Sequence, residues 1–130
     1  MTTSATNRRV RCNASELHKK TFNILCKEFE HFIIEQEYPI TVVSNGTRKT
    51  LYIDLLIPSL NVAIECHGEQ HFKPVKHFGG LEGFKNQIKN DKLKEEWCKN
   101  NGVALAIVKF DDKLTSSLVK KRILKATKED

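Results

Sequence analysis

The chain has 130 residues, 39% of them hydrophobic, and a formal net charge of +6; that is enough to bury one core of ordinary size and too short for a second independent domain. No run of 18 apolar residues occurs and the polar opening from Met1 to Arg9 lacks the apolar stretch of a secretory signal, so a soluble, intracellular protein without membrane contact is expected. Cys12, Cys26, Cys66 and Cys98 are scattered without a CxxC pair, which argues against a disulfide framework or a zinc ribbon and predicts reduced thiols.

The charge is unevenly placed. Residues 1–27 carry six Lys/Arg against one acid and residues 113–130 carry six against two, while residues 28–112 carry ten against thirteen. Basic ends flanking a mildly acidic middle favour a polyanionic partner, although the same bases also serve as ordinary solubility charge.

In chain order, residues 1–12 are polar and basic without periodicity and predict a flexible arm, with Arg8, Arg9 and Arg11 as candidate phosphate contacts. A single domain is expected over 13–126, with 127–130 as a tail. Asn13-Ala-Ser-Glu16 resembles a helix N-cap with a glutamate three residues on, and Leu17, Phe22, Leu25 and Phe29 continue at near-helical spacing to about residue 30. Tyr38 to Ser44 is rich in β-formers, Asn45-Gly46 supplies a two-residue hairpin turn, and Arg48 to Ile57 reads as the returning strand. Pro58 to Asn61 turns into Val62 to Cys66, a strand apolar on both faces apart from Glu65 and therefore expected near the centre of a sheet. Gly68 to Gly80 is a loop, interrupted by Pro74 and Gly79-Gly80. A long helix from about Leu81 to Asn101 ends at Gly102, Val103 to Val108 is an apolar strand, and a last helix starts near Asp112. The order α-β-β-β-α-β-α predicts an α/β fold, one mixed sheet flanked by helices.

Two acids break these apolar runs. Asp54 and Glu65 lie in adjoining strands joined by a Pro-Ser turn, and an ionised carboxylate in such a run needs a cation. A divalent ion such as Mg²⁺, held by hard oxygens and keeping several waters, answers that need and also suits phosphodiester hydrolysis; a nearby Lys or Arg answers it equally well without chemistry. His71, just beyond the strand, is a candidate acid or base, or an ordinary loop histidine. His67, His71 and His77 with Cys66 can be read as zinc ligands, but the spacing fits no common structural pattern and Cys66 and His67 point to opposite faces of a strand. At 100° per residue Asp91 falls between Phe84, Ile88 and Cys98 on the apolar side of the long helix, with Leu93 and Trp97 roughly opposite. Asn90-Asp91 with Lys94 then orients metal waters or phosphate if that face borders the site; most helix lysines are simply solvated.

Asp54 followed by Glu65-Cys66-His67 resembles the Asp, then Glu-x-Lys signature of the PD-(D/E)XK nuclease superfamily. The longer series from Tyr52 to Phe72, then Phe78-Gly79-Gly80, Phe84, Asn90 to Lys92 and Trp97 to Val108, is similar to the branch holding the very-short-patch mismatch-repair endonuclease and phage-type homing endonucleases with a Glu, Asp, x-His, Asp pattern. The likeness covers roughly residues 13–110. It implies a restriction-endonuclease-like fold and a Mg²⁺-dependent endonuclease, with Mn²⁺ able to substitute, that hydrolyses phosphodiester bonds in DNA in the cytoplasm of a bacterial or phage-infected cell. By the same resemblance Asp54 and Glu65 are metal ligands, His71 the catalytic histidine, Asp91 the late acid and Glu16 the early helix glutamate. Ile53 stands where the superfamily name has proline. His67 stands where the lysine is expected and joins the candidate catalytic set, so the lysine's task passes to Gln70, His71 or Glu16. Lys73 and Lys94 join the arginines of the arm as nucleic-acid contacts.

Ala63-Ile64-Glu65, with Gly68 and His71-Phe72, is also similar to a segment of the RNA-associated RAP domains, which implies a catalytically inactive nucleic-acid-binding module, for RNA as well as DNA, on the same fold. A protein-interaction subunit whose acids are structural is a third reading. Cutting both strands with one site per chain calls for a homodimer, with Trp97 as a candidate contact, or for sequential nicking.

Overall fold

The computed structural model describes residues 15–128, so Arg8, Arg9, Arg11 and the expected arm lie outside the described residues. Helix α1 is Glu16–Glu28, and its N-cap is Ser15, whose hydroxyl accepts from the His18 N–H at 3.1 Å, rather than Asn13. Strands β1 (Glu35–Ser44) and β2 (Thr47–Ile57) form the expected hairpin, three residues longer at its start than the β-rich run suggests. Asn45 and Gly46 both take positive φ, 53° and 76°, the conformation a tight two-residue hairpin turn requires.

A 3-10 turn at Pro58–Leu60 leads to β3 (Val62–His67), followed by 3-10 turns at Glu69–His71 and Lys76–Phe78, helix α2 (Gly80–Asn100), β4 (Ala104–Lys109) and helix α3 (Ser116–Lys128). Helix α3 begins four residues later than its composition suggests, because Asp112 is engaged beforehand: its carboxylate accepts the Lys109 N–H and pairs with Arg122. It also runs two residues past the expected end of the domain. Among the described residues no helix is long and apolar enough to cross a membrane.

The result is a mixed α/β fold with a four-stranded sheet in the order β1-β2-β3-β4. The first three strands are antiparallel, and β4 runs parallel to β3. One face carries α1 and α3, whose Phe22, Leu25, Val119 and Ile123 pack on Leu55, Ile57, Val62, Ile64 and Val108. The other carries α2, with Cys98, Leu93 and Trp97 against Ile40, Val42, Ile53, Leu56 and Ala63. Trp97 therefore belongs to this chain's own core.

Strand β2 changes sides. Ile53 packs towards α2, yet Leu55 and Ile57 pack towards α1 and α3, so the period-two alternation breaks at Asp54. Opposite the break, Glu37 in β1 has φ of 49°. The β2–β3 ladder covers Leu55 to Ile57 against Ile64 to Val62 and goes no further, so the two strands part at Asp54 and Glu65.

Candidate active site

The two acids stand where the ladder ends, and each substitutes for a missing backbone partner. Glu65 Oε2 accepts the Asp54 N–H at 2.8 Å, and Asp54 Oδ2 accepts the Cys66 N–H at 2.8 Å. Glu65 is 1% exposed, and its Oε1 accepts from Lys94 Nζ of α2 at 2.9 Å. Burial, reinforced by the Glu65 charge opposite, pushes the Asp54 carboxyl up to about 6. For Glu65 burial works the same way but is outweighed by His67, Lys94 and the Asp54 N–H, which hold it below its usual range. Burial also opposes the charge on Lys94, and the Glu65 carboxylate overcomes it, so this ammonium stays charged. Lys94 is thus enclosed in the site, its side chain 12% exposed, and differs from the solvated contact its place in a lysine-rich helix suggests.

Beyond the strand ends the chain brings two histidines together. His67 closes β3 and His71 closes the next 3-10 turn; their rings stack with centroids 4.0 Å apart and planes at 10°. His71 Nδ1 meets Asp91 Oδ2 at 2.8 Å, while Gln87 Nε2, one helical turn away, donates to Asp91 Oδ1 at 2.9 Å. Burial would raise the Asp91 carboxyl, but the His71 hydrogen bond and the adjacent imidazoles hold it below the usual range. The loop that carries His71 is pinned on α2 at Gly83, where a Cβ would stand 1.9 Å from the Phe78 carbonyl oxygen, so only glycine fits. A cleft of about 240 Å³ opens here, lined by Glu65, His67, Asp91 and Lys94 together with Ile88, Leu105 and Ile107.

Of the residues singled out from the sequence, the structure gathers Asp54, Glu65, His67, His71, Asp91 and Lys94. It leaves others apart. Glu16 is 78% exposed and pairs with Lys19 at 3.8 Å. Gln70 folds back over its own turn, its Oε1 2.6 Å from where a Gly68 Cβ would stand. Lys73 pairs with Glu69 at 2.9 Å, and Asn90 accepts from Lys49 Nζ at 2.9 Å. Cys66 faces the α1 side, where burial and the Asp54 charge hold its thiol well above the usual range, and the exposed His77 packs edge-on to Phe78. Neither stands with His67 and His71.

Among the residues missed, two stand out. His18 in α1 is 5% exposed, contacts Gln36 Oε1 at 3.0 Å and acts electrostatically on Asp54. Its spacing with Phe22 and Leu25, four and seven residues on, was the available signal. Arg122 was the other: with Lys109 and Lys125 it lines a groove of about 460 Å³ that begins at His67 and Phe72.

The chain is similar to "Uncharacterized protein 307L" of Invertebrate iridescent virus 6, with 38% identity over 73 residues, which is 55% of this chain and 36% of the viral protein. The chain therefore spans about a third of that relative's length. No family model and no solved structure matches.

Proposed function

We propose that this chain is a metal-dependent endonuclease hydrolysing phosphodiester bonds in DNA, on a restriction-endonuclease-like fold of the PD-(D/E)XK kind. The observation that carries the reading is the facing pair Asp54–Glu65 at the parting of β2 and β3, with the Lys94 ammonium 2.9 Å from Glu65. The α-β-β-β-α-β-α element order and the single mixed sheet support this reading.

The donor set suits a hard divalent cation. Two carboxylates face each other in a buried place with one ammonium, Lys94, at Glu65, and their repulsion helps to hold Asp54 protonated up to about pH 6, so a further cation suits the pair. Asp54 and Glu65 would hold Mg²⁺ or Mn²⁺, and the ion would supply charge neutralisation at the phosphate and a more acidic water. The remaining chemistry belongs to side chains. Lys94 takes the place of the lysine that His67 displaces: it reaches the glutamate from α2 instead of from β3, and a fixed ammonium there stabilises charge developing on the phosphate. Asp91 accepts from His71 Nδ1, which fixes the tautomer and leaves Nε2 to take the proton of the attacking water or, once protonated, to give it to the leaving 3′-oxygen. Lys109, Arg122 and Lys125 continue from the site as a basic groove suited to the phosphate backbone.

Purified protein with Mg²⁺ or Mn²⁺ is expected to cut at least one of duplex, nicked, mismatched, branched or single-stranded DNA. Chelator should stop the reaction, and Asp54→Ala or Glu65→Ala should slow it at least about a hundredfold. Equal products from wild type and Glu65→Ala would sink the proposal.

A second reading is supported by one observation: Asp54 and Glu65 already have internal partners in Cys66, Lys94 and one another's strand. On that reading the chain is an inactive nucleic-acid-binding module, RNA included. Salt-dependent binding without cutting under every metal condition would select it.

A further inference from the structure

His67, His71 and Asp91 place three ligand atoms within 4.8 Å of one another. They come from three elements, β3, the following 3-10 turn and the middle of α2, and each is fixed from outside the cluster. The His67 carbonyl accepts the Phe110 N–H at 2.9 Å, the His71 N–H donates to the Gly68 carbonyl at 3.1 Å, and Gln87 holds Asp91. Both imidazoles are nearly enclosed, with side chains 9% and 8% exposed.

The spacings are open to a shared ion. His67 Nε2 lies 3.9 Å from Asp91 Oδ1, too long for a hydrogen bond. It is about half an ångström beyond the roughly 3.4 Å that separates two ligands on a tetrahedral ion with bonds of about 2.1 Å. The 2.8 Å between His71 Nδ1 and Asp91 Oδ2 is close to the separation of adjacent ligands on one ion. Bringing the whole set into range takes side-chain shifts totalling about 1.4 Å at most, shared between two side chains. The cleft supplies an entry path and space for water ligands, and Glu65 and Asp91 together outweigh Lys94 in charge.

We propose that His67, His71 and Asp91 form a site for a divalent transition-metal ion, apart from the Asp54–Glu65 pair; an ion there takes the place of the proton between His71 and Asp91 and so competes with the role His71 has in the proposed cleavage. Two imidazoles and one carboxylate suit Zn²⁺, Co²⁺ or Mn²⁺, whereas Mg²⁺ favours oxygen donors. The third ligand is 20 residues beyond His71, on a helix, which is why no metal-binding spacing is visible around the histidines.

The probes are Zn²⁺ by calorimetry and Co²⁺ by visible absorption on the full chain. One equivalent should bind with micromolar or tighter affinity, and a tenfold excess of Mg²⁺ should not displace it. His67→Ala, His71→Ala and Asp91→Asn should each weaken binding at least about tenfold. Asp54→Asn, and His31→Ala and His77→Ala at exposed histidines, should bind as wild type does. If a site variant fails to melt cooperatively, the readout moves to the wild-type chain, where Co²⁺ must broaden the imidazole NMR signals of His67 and His71 and leave those of His31 and His77 sharp. Absence of binding, displacement by Mg²⁺, or binding that survives in the His67 and His71 variants overturns the proposal. Loss in Asp54→Asn to the same degree overturns it too, by merging the site with the acid pair; cleavage assays on the same proteins report separately on the nuclease reading.

Discussion

The helices on the two faces of the sheet are held by different forces. On one face, α1 and α3 are 13 residues each and bury Phe22, Leu25, Val119, Ile123 and Ala126. On the other, α2 has 21 residues, yet Cys98 is its buried residue. Leu93 and Trp97 add apolar contact, while in the same stretch of the helix Asp91 meets His71 and Lys94 meets Glu65 of β3. Apolar contact is non-directional and tolerates small displacements. A buried charge pair is the opposite case, since removing either partner strands the other. The C-terminal half of the long helix is thus held by apolar contacts and oriented by charges interleaved with them, the arrangement expected where side-chain position matters more than bulk stability.

The largest effect should come from the apolar face. Phe22→Ala should cost about 4 kcal/mol in urea-unfolding free energy, and a loss under about 1 kcal/mol would mean that the two faces are not so different. Next, Lys94→Met should cost about 3 kcal/mol by leaving the Glu65 charge without its cation. Glu65→Gln should cost a similar amount, and the double variant less than the sum of the two. Strict additivity would show that the pair is not coupled.

Asp54→Asn tests the charged side with the opposite sign. The folded carboxyl is raised from 3.8 to about 6, so the folded state holds that proton more tightly than the unfolded chain does. Ionising Asp54 above about pH 6 therefore works against folding, and below 3.8 both states are protonated and the difference vanishes. With chelator present, the variant should be more stable than wild type by about 3 kcal/mol at pH 7 and equal to it near pH 3.5. Equal stability of the two proteins at pH 7 would break the assignment. The smallest effect is at Asp112, whose carboxyl is held below its usual range by the Arg122 hydrogen bond. Its contribution is complete above 3.8 and lost as the pH falls towards the lower folded value. Asp112→Asn should cost about 1 kcal/mol at pH 7, fading in acid, as read from thermal melts across that range.

The elements with strong local preferences were the legible ones in the sequence. The hairpin announced itself through Asn45-Gly46, β3 through its uninterrupted apolar run and the end of α2 through Gly102, because each depends on local preferences. Asp54 and Glu65 were visible as acids in the wrong company. Their mutual arrangement was not, because the change of side in β2 arises from how three strands meet. Lys94 was one of several lysines on α2, and only the packing of that helix on β3 distinguishes it by enclosing it against Glu65. The same holds for His67: a spacing rule searches along the chain, and its companion Asp91 approaches across space.

The pairing of Asp112 with Arg122 has a further consequence for the company this molecule keeps. Strand β4 borders the sheet, and a border strand offers spare amide and carbonyl groups on which a foreign strand can grow. Here the Lys109 N–H is taken by Asp112 at 2.7 Å and the Ile107 carbonyl by Arg122 at 2.8 Å, two neighbouring positions on one side of the strand. One ion pair from the approach to α3 and from α3 itself therefore closes that stretch of the border, and stacking of copies into a continuous sheet is discouraged there without a covering element.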